Sequence, residues 1–338
     1  MSECGIQIKF WGVRGSIPAP ISSEAIGNKI IRAIGVAFEE GLSPRSTEAQ
    51  IRAWVDGTLL SYQRGTIGGN TTCVEVLCDD QLIILDMGTG LRCLGVGLMS
   101  QTIQNKGLQG VILQSHVHWD HIQGYPFWPQ LHMPRTIFKN EFQFFGGKEW
   151  DKSLEEVLRG QMDAPVFPVN HREVEATGLQ MYFDSVYDGK VITLPGKRGD
   201  IRILCRKLNH PQETYGYRIE YAGESMAFCT DHEPYPALDR KLLELANGVD
   251  IFITECQYSK DEYSGHGGKI QKIGWGHSYP EYIAEVVDET HPKLVVTTHH
   301  DPASDDERVV QIASQIINKA GSVVIPGYEG LVLKCSEA

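Results

Sequence analysis

Ten residues, "SHVHWDHIQG" at 115–124, constrain this chain more than any other stretch. His116, His118, Asp120 and His121 fall within six consecutive positions, and the 338-residue chain has only 12 histidines. The preceding "GVILQS" is a short β-rich apolar run bounded by glycine and polar residues, which predicts a buried strand. The cluster therefore stands where a strand gives way to a loop. Any fold that carries it must gather ligand-type side chains at strand ends. Imidazole and carboxylate suit Zn²⁺, Mn²⁺ or Fe²⁺ better than an ion that prefers thiolates.

Charge narrows the partners. Against 31 Lys+Arg stand 43 Asp+Glu, a formal net charge of −12, and no run is rich in basic residues. Long nucleic acid is bound largely through basic patches that release counterions, so a long RNA or DNA substrate is not expected. A small phosphorylated ligand held by metal ions is compatible. The 8 cysteines form no CxxC pair. Six of them (Cys73, Cys78, Cys93, Cys205, Cys229, Cys256) lie in or near apolar strand-like runs, as reduced core thiols of a cytoplasmic protein would. No run of eighteen apolar residues occurs, and "MSECGIQIKFWG" lacks a basic region followed by an apolar one, so neither membrane span nor signal peptide is expected.

The rest of the chain alternates in type. "IQIKFWGV" reads as a strand, followed by a Gly/Pro turn in "RGSIPAP". Residues 22–62 carry apolar residues at helical spacing in two runs broken at "SPRS", which predicts a helical hairpin. "TTCVEVLC" and "LIILDMG" flank a hairpin turn at "DDQ". A short helix is expected over 151–160, then a Pro-punctuated loop, "GQMDAPVFPVNHRE". Strands are expected around 180–184, 191–194, 201–207, 215–221 and 225–229, with helices at 236–247, 279–290 and 305–319. "DIFITEC", "KLVVTTHH" and "SVVIPGYEG" close the strand series. This order predicts an α/β chain of two sheets flanked by helices, and the length allows one large domain or two modest ones.

Three further strands end on metal-competent residues: His210, Asp231, and the pair His299 and His300. Singly, His210-Pro211 could cap a turn, and Asp231 could cap the helix after it. Together with the "HVHWDH" cluster they resemble the metallo-β-lactamase superfamily, whose HxHxDH motif reads here as His116, His118, Asp120 and His121. The resemblance covers nearly the whole chain and implies a single domain over 1–338, an αββα sandwich with 22–62 as an inserted helical hairpin and two divalent ions, Zn²⁺ or Mn²⁺, at one edge. It implies that His116, His118 and His210 hold one ion. Asp120, His121 and His299 (or its neighbour His300) hold the other, and Asp231 bridges both. Asp86 in "LIILDMGTG" matches the aspartate that orients a ligand histidine in that family.

Further segments resemble the ribonuclease Z-like and cyclic-nucleotide phosphodiesterase-like branch. "FITECQYS" keeps its glutamate as Glu255, with Thr254 in place of a histidine, and "GWGHSYPEYIAEVV" places His277 at a matching position. "FWGVRGSIPAP", "GGNTTCVEV" and "DMGTGLR" fit the same branch. That resemblance implies a phosphodiesterase acting on a small nucleotide, a 3′,5′-cyclic nucleotide first, through water activated between two ions. Asp120 would bind metal and orient that water. His277, held by Glu255, would protonate the leaving oxygen. The alternatives are an RNA 3′-processing endonuclease of the ribonuclease Z type and a metal-dependent nucleotide-binding protein without turnover. Tyr125, Phe127, Trp128, Tyr235 and Trp275 are candidates to stack on a base, and His232 and Arg14 to contact phosphate. His171 has no assigned role. A homodimer is expected, with the insert covering the site or building the contact.

Overall fold

The computed structural model describes residues 5–338; residues 1–4, the start of the segment read above as leaderless, lie outside the described residues. The strands are β1 (Ile6–Gly12), β2 (Cys73–Cys78), β3 (Gln81–Leu85), β4 (Gln109–Leu113), β5 (Glu141–Gly146), β6 (Gln180–Ser185) and β7 (Val191–Leu194). They continue as β8 (Ile201–Leu208), β9 (Thr214–Tyr221), β10 (Glu224–Cys229), β11 (Ile251–Glu255), β12 (Leu294–Thr298), β13 (Val323–Pro326) and β14 (Val332–Lys334). One sheet runs β14-β1-β2-β3-β4-β5-β6 and the other β13-β12-β11-β10-β9-β8-β7.

Alternation along each strand builds three apolar layers. In β3, Ile83 and Leu85 enter the core between the sheets, while Leu82 and Ile84 face an outer helical layer with Leu91 and Leu94. Ile203, Tyr217, Phe228 and Ile253 meet the first set from the second sheet. Leu242, Leu245, Ile283 and Val287, from helices at Arg240–Ala246 and Pro280–Thr290, cover its outer face. Strands buried on both faces read as near-continuous apolar runs, which is why they were visible in the sequence. The result is the expected αββα sandwich.

Most of the expected elements are present. The expected 151–160 helix spans Leu154–Gly160, and the helices expected at 236–247 and 305–319 are shorter, at Arg240–Ala246 and Asp306–Ser314. Asp239, not Asp231, caps the first of these two, its side chain accepting from Lys241 N. The end of the Pro-punctuated loop is a helix, His171–Thr177, started by Asn170. Helices Gly90–Gly97 and Met99–Asn105 were not expected. The seven described cysteines are free, and all but Cys93 are buried. No helix among the described residues is long and apolar enough to cross a membrane.

The insert folds as α1 (Ser23–Glu39) and α2 (Glu48–Thr58), capped by Ser22 and by a Thr47/Gln50 capping box. Neither helix has a buried residue. Ile26, Ile30, Ile31, Ile34, Phe38, Ile51 and Leu60 are between 42% and 71% exposed. The insert is tied down by the Lys29–Asp306 and Arg32–Glu307 ion pairs, and the Lys29 bond to Tyr62 O closes it on itself.

Candidate metal centre

Strand direction sets the site. β3 runs parallel to β4, and β10, β11 and β12 run parallel to one another. β8 and β10 each pair antiparallel with β9, so they share a direction as well. The C-terminal ends of β3, β4, β8, β10 and β12 therefore carry Asp86, the 115–124 loop, His210, Asp231 and His299. Asp86, Asp231 and His299 all take left-handed backbone, with φ of 62°, 55° and 53°. Few non-glycine residues do so without a structural reason, and here the turn aims each side chain back across the strand ends. Parallel bridges from Arg14 to Thr71 and to His300 hold the two sheets together at this edge.

Two groups of donors form. His116, His118, His210 and Asp231 offer ligand atoms within 4.8 Å of one another, as do Asp120, His121 and His299. Asp231 faces both: its Oδ1 lies 3.8 Å from His116 Nε2 and 3.4 Å from His299 Nε2, and its Oδ2 3.3 Å from His121 Nε2. His277 joins Asp231 and His299 in a third overlapping group. His300 turns away, its Nε2 bonded to Gly327 O at 3.0 Å, which leaves His299 as the residue in the site.

The tautomers leave lone pairs pointing inward. His210 Nδ1–H donates to Gly276 O at 3.0 Å, so Nε2 is free to coordinate, 3.3 Å from His118 Nδ1. His121 Nδ1 donates to Asp86 Oδ2 at 2.7 Å, and its Nε2 faces His299 Nε2 at 3.1 Å. Buried His116 Nε2 has no hydrogen-bond partner among the described residues. Nitrogen and carboxylate lone pairs crowded without protons between them repel, and a divalent cation resolves that. The donor set fits such ions.

A family description, "Beta-lactamase superfamily domain", matches residues 84–300, from β3 through His300. The chain belongs to the metallo-β-lactamase superfamily. An uncharacterized protein of Mycobacterium tuberculosis (strain H37Rv) is 27% identical over 156 residues, which is 44% of this chain and 49% of that protein. The chain thus matches about half the length of that curated relative. Unliganded yeast PDE1 superposes with a TM-score of 0.59 at 12% identity, covering 98% of this chain and 99% of that one. Human tRNase Z, short form, gives 0.54 at 14% identity, covering 97% and 99%. At these identities the superpositions speak for the fold.

Charge in this superfamily site is set by burial and neighbours. Burial opposes ionisation of Asp120 and Asp231, but His121 and His299 hold both carboxyls below the usual range. Burial also works against protonated His121, yet Asp120, Asp231 and Asp86 together keep its pKa raised. Burial lowers His116, and brings His210 down to about 4.

Several expected roles change. The Glu255–His277 dyad is not closed: Nδ1 of His277 lies 3.8 Å from Glu255 Oε1, beyond a hydrogen bond. Glu255 is spent on backbone instead, with Oε1 accepting from Ser278 N at 2.6 Å and Oε2 from Gln257 N at 3.1 Å. Burial brings His277 down to about 3, so it is a neutral imidazole at neutral pH, not an imidazolium. Arg14 donates to the Gly68, Asp301 and Ser304 carbonyls and pairs with Asp306, which makes it a clamp, not a phosphate contact. His232 bonds Asp239 at 3.2 Å and stacks on Tyr282. Tyr125 and Trp128 are fully buried core, and Tyr125 pairs with His171 Nε2 at 2.7 Å, which gives His171 a structural partner. Phe127, Tyr235 and Trp275 are 59%, 48% and 51% exposed.

Two contributors, Ser16 and Ser115, and one exposed ring were not foreseen. Ser16, also in left-handed backbone, donates its N–H to Asp120 Oδ2 at 2.7 Å. Ser115 gives both N–H and Oγ–H to Asp86 at 2.7 Å. Trp119, between His118 and Asp120, is 74% exposed. An apolar ring in that position was the one signal available for it.

Proposed function

We propose that the chain is a dinuclear phosphodiesterase acting on a small nucleotide, a 3′,5′-cyclic nucleotide first. The observation that carries this reading is Asp231 facing two histidine groups at once, with His277 beside it. His116, His118 and His210 would hold one ion, Asp120, His121 and His299 the other, and Asp231 would be shared. Zn²⁺ or Mn²⁺ bound there would supply Lewis-acid polarisation of the phosphoryl group and an acidified water. Asp86 fixes His121, and Ser16 fixes Asp120, so the donors are aligned before substrate arrives. His277 offers a neutral N–H to the leaving oxygen as negative charge builds on it. A neutral imidazole can polarise in this way without being a strong acid. Trp119, Tyr235 and Trp275 expose aromatic faces beside these segments and suit a base better than a bare alkyl group. The test is turnover by metal-reconstituted protein of 3′,5′- and 2′,3′-cyclic nucleotides, cyclic dinucleotides, an aryl phosphodiester, a thioester and a short RNA. The 3′,5′-cyclic compounds should be cut fastest. Preference for RNA, with binding that falls steeply with salt, would favour the 3′-processing alternative.

The partner we propose for the insert is a second copy of the chain. The seven exposed apolar side chains on and beside α1 and α2 offer several hundred Å², on the order of the ~800 Å² each partner buries in a standard interface. A groove of about 370 Å³ between the helices, lined by Ile26, Ile30, Val55 and Leu59, can take the partner's ridge. Lys29 and Arg32 are already ion-paired, so α1 has no free basic face for lipid headgroups. Light scattering should give a dimer mass for wild type and a monomer mass for Ile30→Asp/Phe38→Asp.

A further inference from the structure

We propose that Glu233 is a positioning residue that pins the 274–277 segment, and through it sets the tautomer of His210 and the place of His277. The metal half of this inference rests on the two-ion reading above. Glu233 is 8% exposed and has no ion-pair partner among the described residues. A buried carboxylate without a cation is costly unless several donors satisfy it. Here Oε1 accepts from Gly274 N at 2.5 Å and from the Tyr263 hydroxyl at 3.0 Å, and Oε2 accepts from Gly276 N at 3.0 Å. With both oxygens committed to these donors, Glu233 is not itself an ion ligand.

What those bonds hold is the wall of the site. Gly274 and Gly276 take φ of 87° and 90°. A Cβ on Gly276 would stand 2.2 Å from His210 Nδ1, so the bare backbone packs against that ring. The Gly276 carbonyl then accepts His210 Nδ1–H, which leaves Nε2 as the inward lone pair. The next residue is His277. Glu255 holds Ser278 N on its far side, so two carboxylates grip the segment, one at each end. The Glu233 backbone also joins two ligand strands. Its N–H donates to Asn209 O at 2.7 Å, and its carbonyl accepts from Asn209 Nδ2 at 2.8 Å. Asn209 precedes His210, and Glu233 follows Asp231 by two residues. One residue thus ties three segments that carry donors, the 274–277 segment through its side chain and the Asn209 and Asp231 strand ends through its backbone, without touching an ion.

The test compares Glu233→Gln with Tyr263→Phe. The amide has one good acceptor and turns an NH₂ toward backbone N–H, whereas Tyr263→Phe leaves both glycine bonds intact. Three readouts are taken: amide exchange at Gly274 and Gly276 in metal-free protein, the ¹⁵N shifts of the His210 ring, and Co²⁺ affinity resolved by site. Glu233→Gln should speed exchange at both glycines, mix the His210 tautomers and weaken the His116/His118/His210 ion ~10–100-fold, the usual scale for a group behind a ligand. Affinity at Asp120/His121/His299 should change little, and Tyr263→Phe should stay near wild type. Equal weakening of both ions would mean a general loss of stability and overturn the proposal, as would unchanged exchange and affinity. Wild-type protein that binds no Co²⁺ would sink the two-ion reading alone, because exchange and tautomer still judge Glu233. Should Glu233→Gln fail to fold, metal-free wild type decides. Protected Gly274 and Gly276 amides and an Nδ1–H His210 support the inference, and fast exchange there overturns it.

Discussion

Asp231→Asn is expected to cost the protein at least one of the two ions proposed above and to lower phosphodiester turnover at least ~10³-fold, the upper range for losing one charge-stabilising group. Asp231 is 1% exposed and lies within 3.3–3.8 Å of His116, His121 and His299, so its carboxylate stands between both groups. Asparagine keeps the shape and one oxygen but loses the charge that offsets two cations. Thr230 Oγ donates to Asp231 Oδ2 at 2.6 Å, which should keep the replacement in place. Metal analysis and kcat, measured on protein of unchanged melting profile, check the outcome. Two ions per chain with near-native turnover would show that the bridging position is not needed.

His277→Ala should lower kcat by ~10²-fold or more with metal content retained, the lower range for losing one hydrogen-bond donor to developing charge. The ring is 3.9 Å from Asp231 Oδ1 and stacks on His299 at 5.1 Å, which places it beside both donor groups. Its pKa of about 3 adds a sign. An imidazolium donor would make kcat fall as pH rises through its pKa. A neutral donor should leave the His277-dependent part of kcat flat from about pH 6 to 8. Loss of an ion in His277→Ala would instead assign the ring to coordination. In Glu255→Gln, the Ser278 bond should survive through the amide oxygen, so a smaller fall is expected than for His277→Ala.

Local chemistry was legible, and geometry across the chain was less so. The 116–121 cluster declares itself because four ligand types crowd one loop. His210, Asp231 and His299 were visible as strand ends, and parallel strands bring such ends together. Whether His299 or His300 enters the site depends on a left-handed φ at residue 299, which spacing does not show. Glu255 and His277 were paired by resemblance, but only the register of β11 against the 274–278 segment reveals that Glu255 bonds Ser278 N. Ser16, Ser115 and Glu233 act through backbone N–H or hydroxyl bonds, which leave no side-chain pattern to read. The helical periodicity of 22–62 predicted an apolar face, and the structure shows that the chain's own core leaves it uncovered. Helix Gly90–Gly97 escaped notice because its glycines read as a loop.

Hydrolysis of a 3′,5′-cyclic nucleotide in H₂¹⁸O by the metal-loaded wild type tests the central claim most directly. The account predicts a linear nucleoside monophosphate carrying one ¹⁸O on phosphorus. Protein that holds two ions per chain yet cleaves no phosphodiester would contradict it.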